Sequence, residues 1–137
     1  MQPVSPQILN RIAHWPETAQ TRLIEIRTIL FQAADDVGCE LGESLKWNEP
    51  SWRPGKGGTT LRVSWSQDQQ DEIGIFVHCQ TNLSETMREI YPDAFRFSGN
   101  RSLHLKLQDG LPQKALRHLG ALAFTYHRGR KSAAVGA

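Results

Sequence analysis

Four cations share a feature of spacing that points to chemistry. Lys46, Arg62, Arg96 and Lys106 each stand in the phase opposite the apolar residues of a short alternating segment. Side chains of a strand alternate between the two faces of a sheet, so these four are expected together on its open face. His104 shares the phase of Lys106, and His78 that of Phe76. Clustered cations raise the local potential and attract anions. Arginine adds a planar fork that matches phosphate or carboxylate. Trp47 and Trp52 would add an apolar wall or a stacking surface. The ligand class this predicts is a small anion. Single-stranded nucleic acid uses the same ingredients, but a net charge of +2 gives the fold no strong basic excess to hold a polymer.

A second pole is acidic. Asp35, Asp36, Glu40 and Glu43 cluster where a long helix should end. Hard cations such as iron accept carboxylate ligands; a hydrated acidic turn is the plainer alternative. A third possibility is nucleophilic catalysis by Cys79 or by His78. Cys79, however, keeps the phase of Ile73, Ile75 and Val77, which predicts a buried, inert thiol. There is no CxxC, HxxxH or HExxH, so a tight zinc site is not expected. Residues 53–60, Arg-Pro-Gly-Lys-Gly-Gly-Thr-Thr, lack P-loop spacing because Gly57 follows Lys56. They read as a flexible connection between strands.

The elements that must position these residues follow from periodicity. Leu23, Ile26, Leu30, Ala33, Ala34 and Val37 recur at helical spacing and predict a helix over 17–37, ended by Gly38. A short helix is expected over 7–14, another over 83–90, and a last one over 112–127. Strands are expected over 43–47 (broken by Pro50), 59–66, 72–79, 94–98 and 102–107. The order α-α-β-β-β-α-β-β-α predicts an α+β fold: one two-layer domain with an antiparallel five-stranded sheet and the helices on one face. Residues 1–16 are expected as an arm with a short helix, 17–127 as the domain, and 128–137 as a flexible basic tail. The 137 residues suit one domain. Charge is unevenly divided: 17–49 carries −4 and 50–137 carries +5. No signal-peptide pattern and no membrane-length apolar run is visible, so a cytoplasmic protein with reduced Cys39 and Cys79 is expected, with no membrane partner.

Residues 45–52, Leu-Lys-Trp-Asn-Glu-Pro-Ser-Trp, resemble the Lys-Trp-Gly-x-Pro-x-aromatic signature of the YdhG-like domain-of-unknown-function family. The stretches 78–81, 91–93, 99–101 and 123–127 are similar to its proteobacterial branch, so the resemblance spans about 17–127. Asn48 replaces the usual glycine and tolerates positive φ better than most residues. The resemblance implies an α+β fold, and the positions matching its motifs, Glu49, Thr81, Asn100 and Arg101 with Lys46, Trp47, Trp52 and His78, fall at strand ends and turns, where residues can line a ligand pocket beside the sheet. Some members are labelled frataxin-like intracellular iron chaperones, which implies an iron-binding acidic ridge here made of Glu17, Glu25, Asp35 and Asp36 with Glu40 and Glu43.

Overall fold

The computed structural model describes residues 2–128. Its elements are α1 (Pro6–Ile12), α2 (Glu17–Asp36), β1 (Gly42–Lys46), β2 (Glu49–Arg53), β3 (Leu61–Ser64), β4 (Glu72–Phe76), α3 (Leu83–Ile90), β5 (Arg96–Ser98), β6 (Ser102–Lys106) and α4 (Gln113–Phe124). In α2, Leu23, Ile26, Leu30, Ala33 and Ala34 are all buried, as their spacing requires. Gly38 turns the chain at φ +66, and the Cys39 N–H returns to the Ala34 carbonyl at 2.8 Å. That is the usual way a glycine satisfies the last carbonyls of a helix. Helices α2 and α4 approach closely at Gly120, where an added Cβ would lie 2.7 Å from that of Ala33.

The sheet is antiparallel throughout, in the order β1-β2-β3-β4-β6-β5. Its register places Val63, Ile75, Leu103 and Phe97 in one row across four strands. The first three are fully buried against the helices. The neighbouring row, Arg62, Phe76, Ser102 and Ser98, belongs to the other face.

The sheet has six strands, not five, and four of them precede α3. The additional strand is β2, which Pro50 concealed. Lys46 and Glu49 close a two-residue hairpin, so Leu45 and Pro50 form the next, non-hydrogen-bonded pair. The nitrogen of Pro50 then points away from β1. Pairing of β2 with β3 involves only Ser51 and Trp52, so no strand partner asks Pro50 for an N–H.

Both ends of the described residues contact the rest of the fold. The stretch before α2 shares the common core: Ile8, Ile12 and Trp15 are buried in it. A buried ion pair between Arg27 and Glu43 ties it down. Arg27 donates to the carbonyls of Gln2 and Pro3 at 2.9 and 3.1 Å, and the Ser5 N–H donates to Glu43 at 2.9 Å. At the other end, the Arg128 guanidinium donates to the Val37 carbonyl at 2.9 Å, so residue 128 is attached to the fold. Residues 129–137, the rest of the expected tail, lie outside the described residues. Among the described residues no helix is long and apolar enough to cross a membrane.

Candidate functional site

The open face of β1–β4 floors a cleft of about 560 Å3. Its walls are the β1–β2 hairpin tip, the 53–60 loop and the turn that follows β4. Lys46, Arg53, Arg62 and Arg101 line it, and no Asp or Glu does. Arg62 is bonded to Glu49 at 3.2 Å, outside that lining. Among the described residues, Lys46, Arg53 and Arg101 form no ion pair with any carboxylate. Lys46 pairs with Glu49 and Arg53 with Gly42, four positions apart along the strands. At roughly 3.3 Å per residue the two cations are rooted about 13 Å apart. Phe76 lies in the floor beside Arg62, whose guanidinium stands 5.3 Å from its ring centre.

Trp47 stands at one end of the cleft and is 79% exposed. Trp47 and Asn48 have φ of +54 and +62, the signature of a type I′ hairpin turn. Asn-Gly is the usual occupant of such a turn. A bulky residue in the left-handed region costs about 1 kcal/mol or more, and so exposed a ring recovers little by burial. Arg11 in α1 steadies the turn by donating to the Asn48 carbonyl at 2.6 Å.

The opposite end is built from backbone and short side chains. Gly55, Gly58, Thr59 and Thr60 line it with Arg53, His78 and Arg101. The glycine-rich loop, expected to be flexible, is anchored to the end of α4. The Thr59 N–H donates to the Ala123 carbonyl at 2.8 Å, and the His127 and Arg128 N–H groups donate to the Gly57 carbonyl. Gly58 lies so close that an added Cβ would be 2.4 Å from the Phe124 carbonyl oxygen. On the far wall, His78 Nδ1 accepts from the Gln80 N–H at 3.1 Å. In the neutral ring the proton therefore sits on Nε2, which is left as a donor.

The expected site residues divide. Lys46, Trp47, Arg62, His78 and Arg101 come together in this cleft. Arg96 and Lys106 share the open face but line a second cleft of about 530 Å3, with Glu72, Asp93, His104 and Asp109. There Arg96 is held by Glu72 through a two-pronged pair, at 2.9 and 2.8 Å. The Arg96 hydrogen bond outweighs burial and lowers the Glu72 pKa. Burial, helped by Arg96, lowers that of His104. The expected continuous basic face is thus split, because Glu49 and Glu72 interleave with its arginines. Trp52 is fully buried and donates to Glu43 at 2.8 Å, so it belongs to the core and not to a ligand. Thr81 and Asn100 shape the turn: the Thr81 hydroxyl donates to the His78 carbonyl and the Asn100 amide to the Cys79 carbonyl. Cys79 is exposed at the cleft and not buried: β4 ends at Phe76, Val77 still keeps the buried phase, and the chain then turns at His78, whose carbonyl accepts from the Thr81 N–H.

Arg53, Thr59 and Thr60 also line the cleft, although residues 53–60 read in the sequence as a flexible connection. Arg53 shares the phase of Glu49 and Ser51, a signal hidden once Pro50 was read as the end of a strand.

The acidic pole does not assemble. Asp36 is engaged by Arg117 at 2.6 and 2.7 Å, and Glu43 is buried against Arg27. Asp35 and Glu40 complete no group with them: among the described residues no three His, Cys, Asp or Glu side chains could jointly hold a metal ion. The residues present do not fit an iron site.

No protein-family model matches the chain, nor does any curated protein. Among solved structures, the fold is similar to that of YdhG, a protein of the DUF1801 family from Bacillus subtilis. The TM-score is 0.61 over 86% of this chain and 89% of that chain, at 13% sequence identity. The likeness establishes a YdhG-like fold, in agreement with the resemblance carried by residues 45–52. At that identity it speaks for the fold alone, and it supplies neither a ligand nor an iron-chaperone role.

Proposed function

We propose that this chain is a binding module, not an enzyme, and that it holds a small anionic ligand in the cleft over β1–β4. The observation that carries this reading is a lining with four cations and no carboxylate. Low-dielectric walls around charges of one sign focus the field on a bound anion. The cleft volume lies within the range of small-molecule sites. His78 and Cys79 both reach the cleft, but His78 Nδ1 is occupied by the Gln80 N–H, so the histidine does not use that nitrogen to activate the thiol. A cytoplasmic setting accords with two unpaired cysteines.

The test is calorimetric titration with inorganic pyrophosphate, on the wild type and on Arg53→Gln combined with Arg101→Gln. Saturable binding that falls by about tenfold or more in the double variant is expected, since charged hydrogen bonds contribute roughly 1.5–3 kcal/mol each. No binding, or binding the double variant leaves unchanged, overturns the reading.

A further inference from the structure

The two ends of the cleft differ, and the difference specifies more than charge. One end is an exposed indole on a hairpin tip. The other combines Arg53 and Arg101 with threonines and glycines, where backbone can approach a ligand closely. Arg62 and Phe76 lie between them. We propose that the ligand is a nucleoside di- or triphosphate, its base stacked on Trp47 and its terminal phosphates held by Arg53 and Arg101. This rests on the anion-binding reading and deepens it.

Trp47 is the first support. The other three tryptophans, Trp15, Trp52 and Trp65, are buried, whereas Trp47 is 79% exposed. It also occupies a left-handed backbone position at φ +54, where Asn or Gly would sit without strain. Such outliers persist where the surroundings hold them, and they cluster at ligand sites. Every nucleobase offers a flat face, so an exposed indole suits the class without choosing one base.

Length is the second support. Lys46 and Arg53 are rooted four strand positions apart, about 13 Å at the usual rise. An inorganic anion would fill one end and leave Trp47 untouched. A ligand with a ring at one end and two or more phosphates at the other spans both. Lys46, beside the indole, can meet the ribose or first phosphate.

The surroundings favour a mononucleotide over a nucleic-acid strand. Beyond β4 the open face carries the Glu72–Arg96 pair, and Asp93 and Asp109 line the adjoining cleft. A polymer following the sheet would leave the cationic cleft and meet carboxylates.

The experiment compares ADP, GDP, UDP, pyrophosphate and a dT10 oligonucleotide by calorimetry on the wild type and on Trp47→Ala. At least one nucleotide should bind about tenfold tighter than pyrophosphate, the effect expected of one stacked base. Trp47→Ala should bring that nucleotide close to pyrophosphate while leaving pyrophosphate unchanged. The nucleotide should also quench the solvent-exposed component of tryptophan emission. If no nucleotide binds more tightly than pyrophosphate, or if Trp47→Ala weakens all ligands equally, the nucleotide proposal is overturned and the anion reading stands. If pyrophosphate also fails to bind, both fall. If dT10 binds more tightly than every nucleotide, a strand replaces the mononucleotide and the proposal is overturned.

Discussion

At the residue scale, Trp47 and Glu43 act on stability in opposite directions. Trp47 is held in a strained conformation with little burial in return. Trp47→Asn keeps a residue that tolerates positive φ. It should raise the free energy of unfolding by about 0.5–1 kcal/mol in urea denaturation, even as nucleotide affinity falls. A loss of stability would mean that the indole packs more than its exposure implies. Glu43 is the opposite case. Burial raises its pKa, but hydrogen bonds from Arg27, Trp52 and Ser5 outweigh that and leave it lowered from the usual carboxylate value. Its contribution is therefore complete above the unfolded-state pKa near 4.5 and is lost as pH falls through the lower native value. The urea midpoint should decline below that pH. Glu43→Gln should cost about 3–5 kcal/mol at neutral pH, because Arg27 is left buried without a counter-charge. Adding Arg27→Met should recover part of the loss. A Glu43→Gln variant as stable as the wild type would contradict this account of the N-terminal stretch.

At the element scale, the glycine-rich loop has a fixed position because α4 fixes it. Gly58→Ala drives a Cβ against the Phe124 carbonyl and should destabilise the chain by about 1–3 kcal/mol, the usual cost of overpacking. Gly110 has open space around it and no positive φ. Gly110→Ala should change stability by less than about 0.5 kcal/mol. Thermal denaturation of the two variants compares them directly, and equal effects would show that the loop is not anchored. This anchoring was not legible in the sequence, because it depends on where the end of a distant helix lies. The helices were: α3 stands at the expected 83–90, and α2 ends one residue early. β2 was not, because whether a proline breaks a strand depends on which neighbour needs its N–H, and only pairing reveals that.

At the scale of the whole molecule, charge follows the same logic. Alternation placed Lys46, Arg62, Arg96 and Lys106 on one face, and the register agrees. Alternation along a strand does not show what stands across from a residue on the neighbouring strand. Glu72 lies opposite Lys106 and binds Arg96, while Glu49 lies opposite Lys46 and binds Arg62. One expected basic face is therefore two clefts, of which only the one over β1–β4 is free of lining carboxylates. The acidic pole disappears for a related reason: Asp36 and Glu43 meet arginines far away in sequence.

Backbone amide chemical shifts followed during titration with pyrophosphate locate the bound anion on the fold. Saturable shifts are expected at residues 53–60, 78–81 and 101, the arginine end of the cleft, with Trp47, Arg96, His104 and Lys106 unmoved. Shifts centred on those last three residues, or no saturable shifts at all, would contradict it.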